Sequence, residues 1–523
     1  MLEDDAAMDA DSLVGQDPRS GVRPSGGERD WAAAVLEPVR WMRMLCRELG
    51  ATFVAGVVLV YGLSQGFAGS FFRVASDYYW KDVQRVQPAT VQFLSVFFFI
   101  PWVLKPLWGI MTDVFPICGY RRRPYFLFSG FTDKSLFTFH DGTMVGILGT
   151  VSAAIVAVTI GLPMSSAVLC LMGISTAVAI ADVTIDASIA KNSIDKPALA
   201  PDMQSLCAFS SSLGALVGYA TSGLFVHHLG AQGALGVMAI PPATVVFLGF
   251  IIYELKTHQH NVKEKVLNKV SGAVKGMVRT IRYPVVWRPS LYMFLSLALS
   301  ISTHEGQFYW YTNKTPPNPG FSQEFVGLVH AIGAVASMLG VLVYHKCLKD
   351  YPFRSILLYA QLLYGVSGLL DLTFVLRWNL ALGIPDAAFV TLEECVSRVV
   401  ARVRLMPMMV LSTKLCPPGM EGTFFALLMC IDSLGMLAAK AGGAAVLRAL
   451  RVTRADFGHL WLAVLLRNVL RLATLGAIGL VPTAGQTDVL VPRELLVSSP
   501  AGVADDEEER LQLAMLTSHT DDV

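Results

Sequence analysis

The sequence predicts an all-α membrane protein of about twelve transmembrane helices in two six-helix halves, on three observations. The 523-residue chain is 54% hydrophobic and only 15% charged, against roughly 25% charged residues in ordinary soluble domains. Apolar runs long enough to cross a hydrocarbon core, about 20 residues each, recur along it. One long hydrophilic interruption, residues 254–285, falls after the sixth run and divides the chain six plus six.

The runs begin near Thr52, Thr90, Met144, Ala167, Gln204, Ala234, Leu291, Phe325, Ser355, Ala387, Gly422 and Leu460. Lys and Arg in short loops set orientation. Arg40, Arg43 and Arg47, then Arg121 to Arg123, the lysine-rich central loop, and Lys346, Lys349 and Arg354 all fall on one side. Both termini and the central loop are therefore expected in the cytosol. Arg448, Arg451 and Arg454 fall on the other side, so either they contact protein rather than solvent or the eleventh boundary is misplaced. The expected division is a disordered tail at 1–39, a first half at 40–253, the cytosolic loop at 254–285, a second half at 286–485 and a disordered acidic tail at 486–523.

Two local features qualify this plan. The centres of the first and seventh runs, Ser64-Gln65-Gly66-Phe67 and His304-Glu305-Gly306-Gln307-Phe308, are both polar and glycine-broken. Matching interruptions in two halves suit a repeat-built carrier with its site at mid-membrane. Residues 131–142, FTDKSLFTFHDG, split what is otherwise a good third span. With them in place the span starts late and is short; they are either a real loop insertion or a gene-model error such as translated intron, and the second is favoured.

Composition excludes several classes. A net charge of +1 gives no nucleic-acid footprint, which needs a clustered basic excess. The eight cysteines show no CxxC pair and no Cys/His spacing of a zinc site, so neither disulfides nor metal are expected. The acidic N-terminus has no secretory signal, and its acids argue against a transit peptide. Without a nucleophile elbow, metal-ligand cluster or nucleotide loop, neither catalysis nor a cofactor is expected.

The informative residues are charges inside apolar runs. In EECVSRVVARVRLMPMMV, residues 393–410, Glu394, Arg398 and Arg402 are spaced i, i+4, i+8 and share one helix face within about 80° of arc. A charge at the bilayer centre costs at least ~2.5–3.5 kcal/mol, so the row should meet a cavity or a partner. A structural ion-pair ladder and a substrate site both satisfy that requirement. Arg404 points to nearly the opposite side and is expected to snorkel to the cytosolic rim.

Asp182 and Asp186, in AVAIADVTIDASIA, form a second i, i+4 pair with Ser175 on the same face. Two carboxylates so close are not both ionised without cations beside them. The pair suits a proton-coupled site, or partners for Arg398 and Arg402, with Asp182 the deeper and better candidate. Asp186 suits a bond at the helix end to the following loop. Glu305 ranks as a proton carrier above His304, since a lone membrane histidine is more often a satisfied hydrogen-bonder. Near Asp432, the row Gly435, Ala439 and Gly443 suits helix packing, as do Ser210, Gly214, Gly218 and Ser222. Arg467 and Arg471 have no evident role.

After the second span comes KPLWGIMTDVFPICGYRRRPY. Gly109 and Asp113 end a helix, and Gly119 with Arg121, Arg122 and Arg123 makes a basic turn. This resembles the cytosolic gating motif of the major facilitator superfamily, in which the acid pairs with nearby arginine and caps a neighbouring helix. Together with ADVTIDASIA, DMQSLCAFSSSLGALVGY, STHEGQFYW and SRVVARVRLMPMMVLSTKLCPPGMEGTFFALLMCIDSLG, it makes residues 40–485 similar to the folate–biopterin transporter family within that superfamily, closest to its plant members. The 131–142 segment departs from the family's continuous third span.

The resemblance implies a major facilitator-like secondary transporter in the lipid bilayer, moving folates or pterins, possible proton symport, and a monomer. In that reading Glu394 or Asp182 accepts the adjacent N–H donors of a pterin, and Arg398 or Arg402 holds folate's anionic tail. Glu305, Asp182 or Asp186 would carry protons. A carrier of another organic anion and a multi-span ligand sensor are the alternatives.

Overall fold

The computed structural model describes residues 39–108, 144–195, 199–244, 281–415 and 421–485, and every regular element among them is helical. Two units are distinguished, Met1–Val54 and Ala55–Val523. In the first, the described chain is helical over residues 39–49 and stops at Gly50, whose φ of 89° suits a residue without a Cβ.

In the second unit the principal helices are α1 (Ala68–Tyr78), α2 (Pro88–Val103), α3 (Met144–Val158), α4 (Met164–Asp195), α5 (Ala200–Val237), α6 (Pro284–Ala298), α7 (His304–Tyr311), α8 (Gln323–Val343), α9 (Phe353–Val375), α10 (Asp386–Lys414), α11 (Glu421–Ala449) and α12 (Leu460–Ala473). A π-helical stretch, Val58–Phe67, leads into α1. By length and composition, eight described helical runs can cross a membrane. Leu358, Leu362, Val366 and Leu369 on one side of α9 stay exposed, as a lipid-facing stripe requires.

Helix ends follow local chemistry. Pro88 and Pro284 open α2 and α6, where the missing N–H costs nothing. Ser322 caps α8 by accepting from the Phe325 amide at 3.2 Å. The turn from α9 into α10 is held by Arg377, whose guanidinium grips Asp386 at 2.8 and 3.0 Å. α5 breaks at Gly230, with φ 70°, so the run expected from Ala234 begins a few residues earlier. Residues 131–142, expected to interrupt the third span, lie outside the described residues, as do the central loop to 280 and both tails.

Helices in lipid gain little from hydrophobicity against one another and associate through close packing. The small-residue rows do this. A Cβ at Gly214 would collide with the Gly62 carbonyl, one at Gly218 with that of Phe67, and one at Gly66 with that of Ser211. The polar centre Ser64-Gln65-Gly66 is thus a packing seam with α5, not a lining of the cavity described below. On α11, a Cβ at Gly443 would strike the Ser302 carbonyl, and Ala439 accepts the Ser302 amide at 3.0 Å.

One buried cluster joins the earlier helices to α7 and α8: Phe71, Tyr78 and Trp80 pack with Phe308, Tyr309 and Val326. Around it Tyr309 donates to the Val86 carbonyl at 2.9 Å and Lys81 to that of Thr312 at 3.2 Å. The Arg454 amide donates to Gln87 Oε1 at 3.1 Å.

Candidate functional site

A cavity of about 450 Å³ is walled by α6 to α12, with Arg73 of α1 reaching in; small-molecule pockets run from about 300 to 1,000 Å³. Six cationic side chains line it, Arg73, Arg398, Arg404, Lys440, Arg467 and Arg471, against the carboxylates Asp371, Glu393 and Glu394. Aromatic rings close one end. Trp310 meets Phe374 edge-on at 5.0 Å, and Phe321 stacks on Phe374 at 6.3 Å.

The α10 row is divided. Arg398 Nη2 and Nε lie 2.7 and 2.8 Å from Glu394 Oε1, and His330 Nδ1 of α8 approaches the same oxygen at 2.9 Å. Gly333 makes room, since a Cβ there would stand 2.8 Å from Glu394 Cγ. Arg398 also sits 5.8 Å over the Tyr219 ring. Both Glu394 and Arg398 face the cavity. Arg402 does not line it; its Nε donates to Ser337 Oγ on α8 at 3.0 Å.

Arg404 overturns its expected place at the rim. It is 6% exposed, its Nη1 donates to the Ser296 carbonyl and to Gln361 Oε1 at 3.2 Å each, and its guanidinium lies 4.2 Å over the Tyr364 ring. Six residues on from Arg398, it points about 120° round the helix, yet both side chains line the cavity. That side, however, faces α6, α9 and α12 rather than lipid, so snorkelling is neither needed nor available.

α12 supplies the cations that lacked a role. Arg467 pairs with Asp371 of α9 and donates to Thr303 Oγ1 and Gln307 Oε1 at 3.0 Å each. Gln307 in turn donates to Asp371 Oδ1 at 2.9 Å. The Arg471 guanidinium lies 4.0 Å over the Tyr364 ring, which Arg404 also meets. Asp371 and Lys440, like Arg73 and Asp77, escaped the sequence reading. Each is a lone charge, or an i, i+4 pair, within an apolar run, which is the signal that marks an intramembrane site.

At the junction of α1 and α7, His304 Nε2 lies 2.8 Å from Asp77 Oδ2, and Arg73 Nη2 is 3.5 Å from His304 Nδ1. Glu305 is buried, 4% exposed; its amide donates to Gln92 Oε1 at 3.3 Å. Its Oε2 has no hydrogen-bond partner among the described residues. Ligating atoms of Asp77, His304 and Glu305 lie within 4.8 Å of one another, with Arg73 beside them already supplying positive charge. His304 lines the cavity and Glu305 does not.

Asp182 and Asp186 belong elsewhere. Lys105 pairs with Asp182, Tyr61 donates to Asp186, and neither carboxylate lines the cavity. Ser175, on the same face, donates to the Phe98 carbonyl at 2.7 Å. Asp182 is therefore partnered within the first set of helices, not with Arg398 or Arg402 as one reading expected. The gating residues Gly109, Asp113, Gly119, Arg121, Arg122 and Arg123 lie outside the described residues.

The BT1 family profile matches residues 65–500. The chain belongs to the BT1 family. Among curated BT1-like proteins, it is 57% identical over 466 residues to "Probable folate-biopterin transporter 6" of Arabidopsis thaliana, covering 89% of each chain. It is 30% identical to the "Folate-biopterin transporter" of Synechocystis, over 84% of this chain and 82% of that one. In fold it is similar to the crystal structure of the nucleoside transporter NupG, with TM-score 0.59 and 13% identity over 81% of this chain and 98% of that one. A D-xylose–proton symporter gives TM-score 0.56 at 12% identity over 84% and 98%. This BT1 chain thus has the major facilitator fold and is an integral multi-pass membrane transporter, not an enzyme.

Proposed function

We propose that this chain moves folates and pterins across a membrane by alternating access. The observation that carries the reading is the cavity's charge, six cations against three carboxylates, set beside aromatic walls. A flat heterocycle with an anionic tail complements both. Glu394 and Arg398 read the polar edge of the pteridine: the carboxylate accepts its adjacent N–H groups, and the guanidinium donates to its ring acceptors. Support comes also from the names of the relatives.

Glu305 is the proposed proton carrier, because it is buried with a free carboxylate oxygen at the α1/α7 junction. Asp182 and Asp186 remain candidates for proton coupling from their own site beside Lys105. The two halves, 40–253 and 286–485, would rock about the cavity as a monomer with both termini cytosolic. Gly109, Asp113, Gly119 and Arg121 to Arg123 would hold one access state.

Radiolabelled folate uptake in a folate-auxotrophic host, with pterins and methotrexate as competitors, tests the substrate. A carrier of another organic anion would show no competition by either. A ligand sensor would bind folate when purified yet accumulate none in vesicles. For coupling, wild-type uptake should rise with an inward proton gradient and Glu305→Gln should lose that dependence. Wild-type uptake indifferent to pH and protonophores would end the proton proposal.

A further inference from the structure

The cations of the cavity are not equally engaged. Arg398 is paired with Glu394, and Arg467 with Asp371. Arg471 has no hydrogen-bond acceptor for its guanidinium among the described residues, and its Nε is buried without a partner. Arg404 spends one nitrogen on two neutral oxygens and leaves its Nε equally unmet. Both guanidinium groups stack within 4.2 Å of one ring, Tyr364. A buried guanidinium whose donors go unused is costly, since desolvation is not offset.

The nearby acids leave this unchanged: Asp371, the carboxylate that acts on Arg471, is already paired with Arg467. Glu393 is engaged by the Ser397 hydroxyl at 2.7 Å. Asp432 is within electrostatic reach of Arg404, yet its Oδ1 has no hydrogen-bond partner among the described residues. Neither forms an ion pair with Arg404 or Arg471. Gly368 further shapes the place, as a Cβ there would stand 2.8 Å from an Arg471 terminal nitrogen.

We infer that Arg404 and Arg471, splayed about Tyr364, form a carboxylate subsite distinct from the Glu394–Arg398 pair. It takes the tail of a folate-class substrate and is what makes the protein prefer carboxylated pteridines to neutral ones. This inference rests on the transport reading above and adds where the two ends of the substrate lie. The guanidinium forks supply paired donors that match a carboxylate, and the one Tyr364 ring they both meet holds them near each other.

The test is uptake of folate and of an uncharged pterin by wild type and by Arg471→Gln, with folate diamide, its tail carboxylates converted to amides, as competitor. Wild type should favour folate over the diamide by about tenfold or more, the worth of a charge-assisted hydrogen bond. In Arg471→Gln folate and diamide should compete alike, and the ratio of folate to pterin uptake should fall about tenfold. Pterin uptake by the same variant reports that it folds. Should that be lost, Arg471→Lys, which keeps charge but not the fork, replaces it and should show the same loss of discrimination in part. If the variant keeps the wild-type preference for folate over diamide, the subsite is refuted while folate transport stands. If wild type carries neither folate nor pterin, the transport reading falls and the subsite with it.

Discussion

The α4 carboxylates and the α10 charge row look alike in sequence, each an i, i+4 pair of charges inside an apolar helix, but only one of them reaches the cavity. Lys105 and Tyr61 close on Asp182 and Asp186, so that site is complete without a ligand. Glu394 and Arg398 share their charge with His330 and still present a face to open space. Spacing identifies a helix face; the neighbouring helices decide whether the face is a strut or a site. Arg398→Ala makes the comparison sharpest. With protein levels matched, folate uptake should fall about a hundredfold, because truncating one partner of a buried charge pair costs about 2–5 kcal/mol. Uptake at wild-type rates would reduce the α10 pair to a strut like its counterpart.

The α4 site should answer differently. Asp182→Asn removes the carboxylate paired with Lys105 and leaves only the neighbouring Asp186 to offset its charge; losing one partner of a buried pair destabilises by up to about 3 kcal/mol. The expected result is a lower melting temperature in detergent and less protein in the membrane. The double variant Lys105→Met with Asp182→Leu removes both charges and should recover most of that loss, with folate uptake per molecule close to wild type. A double variant that is stable but does not transport would move Asp182 from the scaffold into the proton path.

Much of the fold was legible because hydrocarbon imposes a length and the small-residue rows impose a spacing. Gly214, Gly218 and Gly443 act as packing residues where the sequence placed them. Two of the three residues of the charge row were legible too, since Glu394 and Arg398 need only a helical period to be brought together. Arg404 was misread because its surroundings come from α6, α9 and α12, all distant in sequence, and no local pattern shows that its side of α10 is interior. Tyr364 is invisible for the same reason, an aromatic in an apolar run until two arginines from other helices are found on it. Asp77 gains meaning only from His304, which lies 227 positions away.

Arg402 carries the smallest expected effect and the most discriminating one. It continues the Glu394–Arg398 face by another turn, yet it points into the α8 seam. There it donates to Ser337, and a Cβ at Gly340 would stand 3.0 Å from its own Cβ. Replacing it with alanine removes one hydrogen bond and some packing, about 1 kcal/mol of stability. Folate uptake at matched protein levels should stay within about threefold of wild type, less than 1 kcal/mol in transition energy. Arg402 and Arg398 share a helix and a face, so residue type does not explain a difference between them. If Arg402→Ala instead abolishes uptake in a folded protein, the α8/α10 seam must open during the transport cycle and expose that guanidinium.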